Sequence, residues 1–562
     1  YKFCGDGSCL TNLPSAGFEQ DSQANLYAGT CAGKDSDADT CFNIAFGCNA
    51  LCTNCAGDYN IAIGCNAGKC VLTAGCNIFI GRNAGCKADT NVYRNLIIGE
   101  CAGVCIGNDS GNNIFLGCGA GYCACCCNTG NIMVGVEAGA KTGCGQENNI
   151  FIGACAGCNV AADNAIVIGA GAAQGSSSSH TSIGRRTAND SIVIGRSAGS
   201  AASLTSAIAI GCETAQCAKF SLLRSVIIGD LAANACCTAN CFQTSTSFKG
   251  CHVIIGFKAG CNIAGHGYSD VFIGMGAGNN NNGCRNVAIG EFAGAASGGN
   301  TGIHSGGQSN VHIGRSAGSG HTRGNFNITM GHYAAKSARY IDKNVFIGRY
   351  SGRRMGAEQH PDGCYANNNV ALGNGALTGA SIGNYRVLNI ARCNVAIGAY
   401  AGSNVSQGCS NVYVGHSAGS GQSNGDGNIA VGRNSLGATN NAGITCNNIG
   451  IGRCAGYCLQ AADDNIFIGC IAGRCVSTGE ANIYIGKSTG CCIQSGSCNI
   501  AIGNVAMGNG NGTGNENIVF GNCAFCSPSS GACNIIMGLR TMVEARQASN
   551  NIIIGCRASE QG

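Results

Sequence analysis

One nine-residue pattern, Asn-Ile-x-Ile-Gly-x-x-Ala-Gly, runs through almost the whole 562-residue chain and limits its possible folds more than any other feature. It reads NIAIGCNAG from Asn60, NIFIGRNAG from Asn77, NVAIGEFAG from Asn286, NVYVGHSAG from Asn411 and NIFIGCIAG from Asn465. Taking the glycine that closes the aliphatic triplet as position zero, the pattern occurs 29 times between Gly47 and Gly555, most often 17 or 18 residues apart. A unit this short cannot enclose a core alone. It gains one by stacking on its neighbours, which is the logic of a solenoid.

Each position has a physical reading. Residues three and one before the glycine are nearly always Ile, Val or Leu, and side chains two apart share a face of a strand, so this pair is expected to point into a core. The glycine permits a turn that a side chain would obstruct. Three residues later stands Ala, Ser or Thr, as at Ala84, Ala156, Ala277, Thr489 and Ala506, where only a small group fits. Four residues before the glycine, 22 of 29 copies carry Asn, which stacked coils would align into an amide ladder. The seven exceptions run consecutively from Ala165 through His180, Ser191, Ala207, Ser225 and His252 to Asp270.

The expected fold is all-β: a parallel β-solenoid (β-roll) of about 29 short coils. Strands about 4.8 Å apart would make a rod on the order of 140 Å long. Four stretches are distinguished: an N-terminal connector with degenerate first repeats (1–42), a regular block (43–160), an irregular segment (161–270) and a second regular block with loop insertions (271–562). The residue between the two aliphatics should face solvent in a lone solenoid, yet it is apolar in 25 of 29 copies, including Phe79, Phe115, Phe151 and Phe346. Both strand faces therefore read as buried, and several copies, three by preference, are expected to wrap a shared axis.

Composition agrees with a packed, turn-rich chain: 93 Gly but only 3 Pro and no collagen period, with 45% hydrophobic residues against the low hydrophobicity of disordered segments. The formal net charge of +4, from 32 basic and 28 acidic residues, gives no basic stripe for a phosphate backbone, so nucleic acid is not an expected partner. The apolar runs fall far short of the roughly 20 residues needed to span a bilayer, so membrane insertion is not expected either. The opening at Tyr1 without Met fits a processed product or a fragment.

With these residues in view, the chain resembles the β-roll heads of trimeric autotransporter adhesins and related repeats of phage and large-virus fibre proteins, which carry similar Ile-Gly-x-x-Ala units. The likeness covers about nine tenths of the sequence. The opening FCGDGSCLTNLP, Phe3 to Pro14, resembles a connector common in tail-fibre proteins. The resemblance implies a fibre outside the cell or on a virion, acting as a spacer and in attachment. A repeating subunit of a head-to-tail extracellular filament or sheath is the alternative. The unit is longer than the adhesin-head repeat, no anchor or coiled-coil stalk follows, and no self-cleaving chaperone domain is visible after Ser559.

Forty-four cysteines also favour an oxidising location. Cys48 with Cys65 follow the motif glycine by one in adjacent coils, while Cys105 with Cys123, and Cys458 with Cys475, follow it by six. Stacked positions fall within the Cα separation a disulfide needs, which makes these three pairs the disulfide candidates. Cys also substitutes for Ala or Ser as a small buried group. The cluster Cys123, Cys125, Cys126 and Cys127 lacks a second pair at zinc-finger spacing, and no metal is expected there.

No cofactor is expected: GCGAG at Gly117–Gly121 belongs to the repeat and lacks the helix and distal acid of a dinucleotide fold. The paired acids Asp35, Asp37 and Asp39, Asp463 with Asp464, Glu358 with Asp362, and the single Asp163 lie in expected turns, so no catalytic residue is assigned and the chain is not expected to be an enzyme. Period-breaking loops are the expected contact surfaces. The largest are Cys212 to Cys251, Asn279 to Asn310 and Arg349 to Asn369, and in the last Arg353, Arg354, His360 and Tyr365 are the candidates for touching a receptor or glycan.

Overall fold

The computed structural model describes residues 19–559 apart from 38, 89, 125, 176–185, 217–220, 235–248, 264–268, 282, 297–306, 321–323, 339, 357–365, 380–390, 423, 438–443, 511 and 545–546. Among the described residues every regular element is a short β-strand. The chain divides into two units, Tyr1–Asp270 and Val271–Gly562. Each is a parallel β-solenoid whose rungs are the three residues before the motif glycine. In the first unit Ile61, Ala62 and Ile63 pair with Ile78, Phe79 and Ile80. In the second, Ile466, Phe467 and Ile468 pair with Ile483, Tyr484 and Ile485. Within each unit the coils thus stack motif on motif without slippage. The first ladder begins within the stretch of degenerate repeats, at Leu26–Ala28, which pairs in parallel with Ile44–Phe46. The short strand Glu19–Gln20 lies antiparallel against its outer edge and covers it.

The strand faces are the reverse of the sequence expectation. The central residue of the rung, not the flanking pair, faces the coil interior: Phe79, Phe115, Phe151 and Phe346 are all 0% exposed within a single chain. The flanking aliphatics point outward and remain partly exposed, with Ile63, Ile152 and Ile347 each at 39%. A strand apolar on both sides carries no sign of which is inner. The choice follows from what lies across the coil, since Asn, Ala and a few aliphatics such as Val71, Ile106, Val476 and Ile493 close the interior opposite the central residue.

Glycine at zero is fixed by its neighbour: Gly81 has φ +128°, and a β-carbon there would stand 2.6 Å from the carbonyl oxygen of Gly99 in the next coil. A second device sits four residues on. Where the central residue is Phe, Tyr or Met, that position is glycine, and a β-carbon on Gly121 would lie 2.6 Å from Phe115 Cε2. In four coils with a central alanine a large group takes the space: Leu51 follows Ala45, Leu377 follows Ala371, Leu436 follows Ala430 and Met507 follows Ala501, all buried. Elsewhere the filling is shared between coils: Gly68 follows Ala62 and Gly402 follows Ala396, and there the side chains of Leu51 with Phe79, and of Leu377 with Tyr413, reach in from the adjoining coils, as close packing requires.

The asparagines form the expected ladder. The side-chain oxygen of Asn60 accepts from the backbone N–H of Asn77 at 3.1 Å and from its Nδ2 at 3.0 Å, while Asn77 Nδ2 also donates across the coil to the Val92 carbonyl at 2.8 Å. Each amide therefore ties one coil to the last and one wall of the coil to the other. The same three bonds recur at Asn465, to Asn448 and to the Gly479 carbonyl.

Where Asn is missing, a different device appears. Ser191 Oγ accepts the N–H of Ala207, Ser225 Oγ that of His252, and His252 Nδ1 that of Asp270, without the full set of amide bonds. Here a second parallel ladder of Val160–Ala161, Arg186–Asn189, Ser203–Thr205, Ser221–Leu223 and Lys249–Gly250 reinforces the opposite wall. Across the sequence copy that ends at Gly184, Ile166–Ile168 pairs directly with Ile192–Ile194. Gly184 and His180 themselves lie outside the described residues.

Candidate functional site

Of the four expected contact residues, Arg353 and Arg354 are placed, while His360 and Tyr365 lie outside the described residues. Arg353 belongs to an aromatic and basic platform built by the turns after Gly314, Gly331 and Gly348. Backbone bonds from Tyr333 N–H to the Arg315 carbonyl (3.0 Å), Tyr350 N–H to the His332 carbonyl (3.0 Å) and Arg354 N–H to the Lys336 carbonyl (3.1 Å) hold successive turns in register. Identical turn positions therefore line up in files. The Tyr333 and Tyr350 rings stack with centroids 5.5 Å apart at 18°, and His332 stacks on Tyr333 at 3.9 Å. Lys336 lies 4.2 Å from the Tyr333 centroid, and Arg349 and Arg353 lie 4.8 and 5.1 Å from that of Tyr350. Arg349 also donates to the Tyr350 hydroxyl at 3.3 Å.

The charge around this platform is one-sided. Between Phe292 and Ala357 the sequence holds a single acid, Asp342, among eight Lys and Arg residues, and the Asp342 carboxylate accepts the Asn325 N–H at 2.5 Å. Arg315, on the margin, pairs with Glu291 at 3.2 Å. The near balance of charge over the whole chain does not hold here. Register analysis could have found the cluster, because Lys336 and Arg353 both follow their motif glycine by five.

No disulfide is formed among the described residues. The six candidate cysteines are nevertheless stacked as expected. Cys105 and Cys123 bring their sulfurs to 3.9 Å; Asn66 N–H donates to the Cys48 carbonyl, keeping the coil of Cys65 in step; and Cys458 N–H donates to the Arg474 carbonyl next to Cys475. Burial raises the Cys123, Cys458 and Cys475 thiols above their ordinary value.

A thiol cluster that the sequence reading did not single out joins Glu137, Cys155 and Cys158, whose ligand atoms all lie within 4.8 Å of one another. Glu137 and Cys155 occupy the same turn position in adjacent coils, and Cys158 donates to the Glu137 backbone carbonyl at 2.7 Å. Burial, then the neighbouring Cys155 sulfur, pushes the Cys158 thiol up to about 12. Two sulfurs and a carboxylate are a donor set suited to a soft divalent cation.

Several carboxylates act on the backbone of the preceding coil. Asp58 accepts the N–H of Cys41 at 2.7 Å, Asp163 that of Glu147 at 3.1 Å, Asp426 that of Cys409 at 2.6 Å and Asp463 that of Cys446 at 2.6 Å. They are turn caps, held by coil stacking. Glu358 and Asp362 lie outside the described residues.

The outward strand face forms a third feature. Within each unit, two files of apolar side chains, mostly aliphatic, run along the ladder, and among the described residues no rung from Ile44–Phe46 onward places a charge in them. Ile397 and Ile451 are each 40% exposed. No known protein family matches the chain, and none of the curated proteins is similar to it in sequence.

Proposed function

We propose that the chain is the structural shaft of an extracellular fibre, on a virus, a phage or a cell surface, and that it works as a homotrimer, serving as spacer and in attachment. The observation that carries this reading is the outward aliphatic stripe. Soluble monomers rarely expose apolar patches larger than a few hundred Å², yet here each rung adds two partly exposed apolar side chains to a band that runs along its own unit. Covering the remainder of such a pair contributes on the order of 1 kcal/mol per rung, and repetition along the ladder turns this into firm association. A second copy of the same ladder is the partner that matches the band in pitch and length. The interior is already filled within one chain, so association is side-by-side docking of closed coils.

Cysteine abundance supports the extracellular setting, and the stacked pair Cys105–Cys123 supports coil-to-coil bridges there. Light scattering on the native chain, with and without reductant, tests the proposal. Three times the single-chain mass is expected in both conditions; a single-chain mass overturns it.

A further inference from the structure

We propose that the platform of Tyr333 and Tyr350 is a binding site for an anionic polysaccharide, a polymer of sulfated or carboxylated sugars. The inference rests on the reading of the chain as an attachment fibre and specifies the ligand that such a fibre takes.

Three observations converge on it. First, among the described residues Lys336, Arg349 and Arg353 take part in no ion pair, so their charge is available to an external anion. Second, these cations come from neighbouring coils at one strand spacing, about 4.8 Å, a repeat comparable with the length of one pyranose residue. A linear polyanion lying across these two coils meets Lys336 on one and Arg349 and Arg353 on the other. Third, the rings are already covered: Tyr333 by His332, Tyr350 and Lys336, and Tyr350 by Tyr333, Arg349 and Arg353. Sequence-tolerant binding of single-stranded nucleic acid needs open aromatic faces on which bases stack. This platform instead offers ordered cations and phenol hydroxyls, the groups that recognise sulfate, carboxylate and sugar hydroxyls. Stacking also pre-organises the guanidinium groups over the rings, which reduces the entropy lost on binding.

The test uses the full chain on immobilised dextran sulfate, with uncharged dextran as the reference matrix. The comparison is between K336S/R349S/R353S and K87S/R94S/K141S, which removes the same charge from exposed positions in the other unit. Light scattering and circular dichroism first establish that both variants keep the parent's mass and strand content, which separates failure of this proposal from failure of the fibre reading. The parent and the control are expected to be retained at about 0.15 M salt. The platform variant should elute earlier, with the log–log salt slope of its affinity shallower by about two. The proposal is overturned if the parent binds dextran sulfate no better than dextran, if the control loses as much as the platform variant, or if a single-stranded oligonucleotide displaces the parent as effectively as free dextran sulfate.

Discussion

Gly473 lies flat against the ring of Phe467, so close that a β-carbon at Gly473 would overlap the ring edge. Two coils earlier the same two positions hold Ala430 and Leu436, with Leu436 fully buried at φ 44°. The two arrangements fill one volume from opposite sides, which gives a quantitative expectation. Phe467→Ala alone should cost about 3–5 kcal/mol through the cavity it leaves. Gly473→Leu alone should cost about 1–3 kcal/mol through overpacking. Combined, they should recover about 1–3 kcal/mol of the summed loss, because Leu tolerates the left-handed backbone at Leu436. Urea unfolding of the four chains measures the coupling, and strict additivity would refute the volume exchange.

Asn465 makes a different kind of contribution, since its amide bonds to Asn448, to the Gly479 carbonyl and, through its oxygen, to Asn482. Asn465→Leu is close in size but leaves the Gly479 carbonyl and the Asn482 donors without their partner inside the coil. Each buried group so orphaned costs about 1–3 kcal/mol, so a loss of about 3 kcal/mol or more is expected. Ser225→Ala, in the stretch without the amide ladder, removes an acceptor for one backbone N–H and should cost about 1 kcal/mol. Hydrogen exchange should show the opening confined to the coils around residue 465, and equal losses for the two variants would count against the ladder's role.

The solenoid, its rung positions and the asparagine ladder were legible because each is a fixed spacing from one glycine. The inner and outer faces were not. Ile-Phe-Ile at Ile78–Ile80 is apolar on both sides, and alternation assigns a face only when one side is polar. A signal lay six residues beyond the central residue, where Gly85 answers Phe79 and Leu51 answers Ala45, but Gly68 follows Ala62 and Met542 follows Ile536, so it emerges only when adjoining copies are compared by volume. The platform at Tyr333 and Tyr350 was missed for a related reason. Whole-chain charge averages a basic stretch against an acidic remainder, while stacking brings together Lys336 and Arg353, which stand 17 positions apart in sequence. The cluster of Glu137, Cys155 and Cys158 spans two coils and needed the register as well.

Substitutions on the two faces should therefore separate folding from association. Phe151→Ala empties the interior and should cost about 3–5 kcal/mol in unfolding free energy. Ile152→Ser, on the outward face and 39% exposed in one chain, should cost less than about 1.5 kcal/mol in folding. Val134 and Ile168 hold the equivalent outward positions in the two adjoining coils. Val134→Ser and Ile168→Ser, combined with Ile152→Ser, should shift the particle toward single chains in light scattering at micromolar concentration. If Ile152→Ser unfolds the chain as strongly as Phe151→Ala, the assignment of faces is wrong.

The thiols give an alkaline limit whose sign can be worked through. Burial pushes Cys158, Cys491 and Cys526 each up to about 12 from an ordinary value of 9.0, and it raises the Tyr413 and Tyr484 hydroxyls as well. A raised value in the folded chain means that folding favours the protonated form. The resulting stability is fully present below pH 9.0 and is lost progressively as the pH rises toward about 12. Urea midpoints should therefore be flat through neutral pH and fall above about pH 9, and C158A/C526A should flatten that fall. At about pH 8, iodoacetamide should modify the exposed Cys48 and Cys65 well before Cys158 and Cys526, which should react at the rate of unfolding. Peptide mapping that finds Cys158 alkylated as fast as Cys48 in the native chain would remove the burial argument for this group.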